Sequence, residues 1–78
     1  MSALVNHSVK TIAENIRNTR IRLAYSQEYL AAKLNVSQNT YSKIELGYVK
    51  LTLERFFKIC RVLEIDPAEV INADGVAA

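Results

Sequence analysis

Apolar residues recur at helical spacing in five runs along the chain, and nowhere alternate with period two for long enough to form a strand. The first run predicts a helix from about Val9 to Leu23, with Val9, Ile12, Ile16 and Leu23 marking its buried stripe. Ser26 is an N-cap for a second helix that turns Leu30, Ala31 and Leu34 inward. Ala31 is small where a neighbouring helix must come close. Asn is the non-glycine residue that best tolerates positive φ, so Leu34-Asn35-Val36 reads as a left-handed cap that tucks Val36 back into the core. Ser37 caps a third helix running to about Leu46, with Tyr41 and Ile44 inward and Gly47 ending it. Thr52 caps a fourth, Leu53 to Leu63, whose core face is Leu53, Phe56, Ile59, Cys60 and Leu63. Asp66-Pro67-Ala68-Glu69 starts a short fifth helix, Pro67 to Asn72, with an Asp cap, Pro in the first position and Glu three after the cap. The expectation is an all-α, five-helix domain over residues 8–72, with residues 1–7 and 73–78 as flexible tails.

The chain has 78 residues, half of them hydrophobic. That supports one small folded domain with a thin stability margin, for which pairing with a second copy is a common supplement. The net charge of +2 is unevenly spread. Residues 1–50 hold seven Lys/Arg against three Glu, whereas residues 51–78 hold three against five Asp/Glu. A basic half that contains the helix pair around Asn35 suits a polyanion. The single Cys60 forbids an internal disulfide and fits a reducing cytoplasm. No apolar run approaches the ~20 residues of a membrane span, and the first residues lack a signal-peptide pattern.

Catalytic chemistry finds little to work with. There is no Gly-rich phosphate loop and no nucleophile–base pair, and Glu14, Glu28, Glu45 and Glu54 fall on different helices. With one His (His7) and one Cys, no metal cluster can be built, and no cofactor or small-molecule ligand is implied. Cys60, on an apolar face, reads as a small core residue.

The third helix is different. Gln38, Asn39, Ser42 and Lys43 share one face, opposite Tyr41 and Ile44. Gln and Asn amides can pair with adenine N6 and N7, and Lys can donate to guanine O6 and N7, so these four are candidates to read base edges. An ordinary solvated face would carry more Glu and Lys, the better surface helix formers. Candidate phosphate contacts flank them: Ser26 and Gln27 where the second helix opens, Thr40 in the third, and Tyr48 and Lys50 in the loop beyond. Lys43 could itself hold a phosphate. Arg20 lies four residues past Ile16 on the inward stripe, where a charge needs a partner, and Glu45 can supply one. A phosphate contact by Arg20 is a compatible alternative. Tyr29, Phe57, Val62, Val70 and Ile71 exceed what the core stripes require. Either they are ordinary surface hydrophobics, or Phe57, Val62, Val70 and Ile71 mark a dimer interface.

Residues from about 12 to 71, three quarters of the chain, resemble the lambda-repressor/Cro-type (XRE family) helix-turn-helix domain. The resemblance rests on Arg20-Ile21-Arg22-Leu23, Ser26-Gln27-Glu28-Tyr29-Leu30-Ala31, the run from Val36 to Glu45, and Gly47. Leu53 to Ile65 is similar to the family's fourth helix. The family implies a compact five-helix fold and sequence-specific binding of double-stranded DNA, usually as a homodimer on a near-palindromic operator. It implies a phosphate contact at Gln27, base reading at Gln38, Asn39 and Lys43, and a salt bridge between Arg20 and Glu45. There are departures. Asn35 and Glu64 stand where glycine is frequent, Leu46 replaces a frequent polar residue, and Tyr48 a frequent basic one. The sequence therefore points to a non-enzymatic, cytoplasmic transcriptional regulator, with no ligand domain attached and its occupancy set by protein concentration. A small autoregulator, such as a phage repressor or a restriction–modification controller, fits that description. The other reading is an antitoxin or similar protein-interaction module on the same fold.

Overall fold

A computed structural model describes residues 8–76, and the side chains of residues 8–72. Five helices follow one another: α1 Val9–Arg22, α2 Gln27–Leu34, α3 Gln38–Glu45, α4 Leu53–Leu63 and α5 Pro67–Val76. No strand forms among the described residues. Ser8, Ser26, Ser37 and Thr52 cap the first four helices, each side-chain oxygen accepting from the backbone N–H three residues on. Asp66 opens α5, its Oδ1 accepting from Ala68 N at 2.9 Å.

The first four helices close alike. The residue after the last turn takes a left-handed or glycine-like φ, and its own N–H and that of the following residue fold back on the final carbonyls. At α2 these are Asn35 N to Ala32 O (3.1 Å) and Val36 N to Ala31 O (3.0 Å). Gly47 plays this part after α3 with φ +79°, but Ala24 and Glu64 do so with φ of 67° and 57°. Glu64 thus ends α4 in the geometry that glycine would adopt freely, and strain at a Cβ is the consequence. Ala24→Gly and Glu64→Gly should each raise the urea midpoint, by about 0.5–1 kcal/mol of stability. An unchanged or lowered midpoint would mean that the closing hydrogen bonds do not hold these residues in that region.

The core is built from Ile16 of α1, Leu30 and Ala31 of α2, Tyr41 and Ile44 of α3, Phe56, Ile59, Cys60 and Leu63 of α4, and Val70 of α5. Each large side chain fully withdrawn from water contributes about 1.5–3 kcal/mol. Burial, with Asp66 nearby, pushes the Cys60 thiol up to about 11, so it stays protonated and unreactive at neutral pH. Helix α1 packs against both α5 and α3, α2 against α3 and α4, and α4 against α5.

Three expected core positions lie elsewhere. Val9 is 54 % exposed, Leu53 67 % and Leu23 37 %. Val9 and Leu53 are the first residues of their helices, and side chains tilt toward the helix N-terminus, past the packed turns. Leu23 is already in the turn that leaves α1. Contact with two helices makes the buried face of α1 wider than its apolar stripe, so Ala13, Asn15, Thr19 and Arg20 are buried beside Ile16. Asn15 has a purpose there, since its Nδ2 donates to the Val70 carbonyl at 2.8 Å and pins α5 to α1. Helix α5 also runs to Val76 rather than ending near Asn72. The expected N-terminal tail, residues 1–7, lies outside the described residues, as do residues 77–78.

Candidate nucleic-acid interface

Helices α2 and α3 pack on each other through a three-residue connection, Asn35 to Ser37, that the left-handed Asn35 makes possible. The Ser37 cap then sets the direction of α3. Tyr41, Ile44 and Glu45 turn inward. Gln38, Asn39 and Lys43 are exposed and Ser42 is half-buried. The four base-reading candidates therefore form one outward face with side chains that donate and accept.

That face is held from behind by a buried polar network. Arg20 Nε donates to Glu45 Oε2 at 2.6 Å and Nη2 to Glu45 Oε1 at 3.1 Å, a two-pronged ion pair between α1 and α3. Arg20 Nη1 donates to the Tyr25 carbonyl at 2.8 Å, fixing the turn before α2. Gln27 Nε2 donates to Glu45 Oε1 at 3.0 Å. Gln27 Oε1 accepts from Gln38 Nε2 at 3.5 Å. The chain of contacts thus runs from the core ion pair to the first residue of α3. Burial would raise the Glu45 carboxyl, but the Arg20 guanidinium, with Gln27, outweighs it and holds the group below the ordinary carboxylate range. The Glu45 hydrogen bond raises Arg20 in turn. The Tyr41 hydroxyl is buried in the core without a hydrogen-bond partner among the described residues, and its own burial pushes its pKa up, so it stays neutral.

All three Arg20 nitrogens donate within this network, while Nη1 and Nη2 each keep a second N–H. The Gln27 side chain is turned to Glu45 and Gln38, and its backbone N–H is one of the unpaired donors of a helix's first turn, a group that can meet a phosphate. Ser26 Oγ accepts from Tyr29 N, so its hydroxyl keeps a donor outward. Thr40 is half-buried and tied to the cap by Ser37 Oγ at 2.9 Å. Tyr48 and Lys50 are exposed in the loop after α3. One cation escaped the sequence reading. Lys10, in the first turn of α1, packs over Gly47, where an added Cβ would lie 3.5 Å from Lys10 Cγ. Only the fold brings it beside the Tyr48–Lys50 loop.

The proposed dimer residues do not act as a group. Val70 is fully buried between α1 and α4, where it belongs to the core and cannot form an interface. Val62 and Ile71 are half-buried against that core, and only Phe57 is exposed. Ile71 helps to line a shallow groove of about 220 Å³ together with Val9, Ile12, Leu51, Thr52, Leu53 and Phe56, of which Val9 and Leu53 are exposed. Among the described residues no three His, Cys, Asp or Glu side chains come together as metal ligands, and no helix is long and apolar enough to cross a membrane.

Five helices, a capped tight turn and an outward polar face on the second helix of the pair define a DNA-reading domain. The helix-turn-helix family model matches residues 16–70, and the chain belongs to this family of XRE-type, lambda-repressor/Cro-like DNA-binding regulators. No curated protein and no solved structure gives a significant match.

Proposed function

We propose that this regulator binds a near-palindromic operator as a homodimer, reading bases with Gln38, Asn39, Ser42 and Lys43 of α3. The observation that carries this reading is the outward face of α3, braced by the Arg20–Glu45–Gln27 network at the helix that would enter the major groove. Phosphates on either side would be held by the Ser26 hydroxyl, the first amides of α2, Thr40, Tyr48, Lys50 and Lys10. An α3 of eight residues is about 12 Å long and spans only three or four base pairs. A single copy therefore sees too little sequence, and two copies on half-sites about 34 Å apart supply the rest. The groove around Val9 and Leu53 is the surface we assign to that pairing. None of the four base-reading residues lines it, so both surfaces can be occupied together. Control of its own gene, as in a phage repressor or a restriction–modification controller, is the role such a small dimer suits.

Binding-site selection from random DNA tests the reading, with a two-fold symmetric consensus as the expected result. Sites without symmetry, protected over one half-site only, would overturn the dimer. Titrations on the selected operator and on scrambled DNA then separate the contacts. Lys43→Ala should lose about 1–3 kcal/mol on the operator and little on scrambled DNA. Lys50→Ala should weaken both equally and lower the salt slope by about 1. Equal losses for Lys43→Ala would move it to the phosphate set, leaving Gln38, Asn39 and Ser42 as readers.

A further inference from the structure

Leu46 stands where the base-reading face continues. Its N–H donates to Ser42 O at 3.0 Å and its backbone keeps right-handed helical angles, so the side chain follows the 100° step of α3 one residue past the helix end. Counted from Gln38, Ser42 lies at about 40°, Asn39 at about 100° and Lys43 at about 140° around the axis. Leu46 falls at about 80°, in the middle of that arc, whereas Tyr41 and Ile44 point the other way. It is 50 % exposed. A single exposed leucine is unexceptional, but this one is flanked on its own face by every residue assigned to base edges.

We propose that Leu46 is a fifth base-reading residue, and that it recognises thymine. The inference rests on the DNA-binding reading above. Leucine has no donor or acceptor, so it can discriminate bases only by apolar contact. The thymine C5-methyl is the apolar group that base pairs present in the major groove. Leu46 would thus select an A·T pair in one orientation beyond the bases met by Ser42 and Lys43, and it would do so without any hydrogen bond.

The test uses the full chain and its selected operator, with each thymine replaced in turn by deoxyuridine, which removes only the methyl. At one thymine per half-site the replacement should weaken the unaltered protein about fourfold, the worth of one buried methyl group. Leu46→Ala should bind thymine and uracil alike at that position and keep the discrimination it shows elsewhere. Leu46→Met, which retains apolar reach, should keep the preference. Thermal melts of all three proteins should coincide, since the side chain is half in solvent. Equal sensitivity of Leu46→Ala and the unaltered protein at every thymine would overturn the proposal. So would a Leu46→Ala loss shared by operator and scrambled DNA, which would place the side chain on the sugar–phosphate backbone. A selection that yields no preferred sequence at all would instead overturn the DNA-binding reading beneath it.

Discussion

Glu45→Ala should cost the fold about 3–5 kcal/mol, because it leaves the Arg20 guanidinium buried without its counter-charge. Against a typical total of about 5–15 kcal/mol for a small domain, that is a large share. The geometry supports the high figure. The Glu45 side chain is almost wholly buried, both its oxygens accept from Arg20, and one also accepts from Gln27. Removing both charges should be milder: Arg20→Met with Glu45→Leu substitutes apolar packing for the pair and should recover most of the loss. Urea melts of the single and double variants measure this. A single-variant loss under about 0.5 kcal/mol would mean that the pair is solvated. The pH dependence gives a second check. Because the Glu45 carboxyl is held lower in the folded than in the unfolded chain, its contribution is complete above the ordinary carboxylate value of about 4.3 and is lost as pH falls through the folded value. The unaltered protein should therefore lose stability between pH 5 and 3 more steeply than Glu45→Gln, in which this titration is absent.

The helices and their ends were legible because caps act locally. A Ser or Thr oxygen three residues ahead of a free N–H, or an Asn that tolerates positive φ, needs no knowledge of the rest of the fold. Ser26, Asn35, Ser37, Gly47 and Thr52 are positions of that kind. Burial depends on which elements meet, and there the sequence was less informative. Val70 and Phe57 are both apolar helix residues, yet one is core and the other surface because α5 lies over α1 and α4. Asn15 and Thr19 are polar residues outside the apolar stripe of α1, and the second neighbour of that helix makes their side an interior. The polar face of α3 could be read from spacing alone. The inward turn of Gln27, the closure of Arg20 on Tyr25 and the approach of Lys10 to Gly47 depend on side-chain directions that spacing does not give, and the place of Leu46 on the helical angles its backbone keeps past the end of α3.

Leu53→Asp should yield a folded monomer with operator affinity at least about a hundredfold weaker. Leu53 is the most exposed apolar residue lining the groove, at the first position of α4, so a carboxylate there remains solvated in the monomer and adds a favourable charge near the helix N-terminus. In a two-fold interface the same patch meets itself, so each substitution sets two charges close to the symmetry axis in an apolar setting, where each loses solvation without gaining a partner. A monomer reaches one half-site only. The loss of three of the four base contacts at about 1–3 kcal/mol each already amounts to about a hundredfold or more. Sedimentation and urea melts decide the first part, and titration on the intact operator and on a single half-site decides the second. The variant should hold the isolated half-site as well as the unaltered protein does. Val70→Asp provides the contrast, since a charge placed in the core should unfold the domain rather than divide a dimer. A Leu53→Asp protein that still sediments as a dimer would move the interface away from the groove. An unaltered protein that is monomeric, and stays so on its operator, would leave the groove to a different protein partner, as expected of an antitoxin.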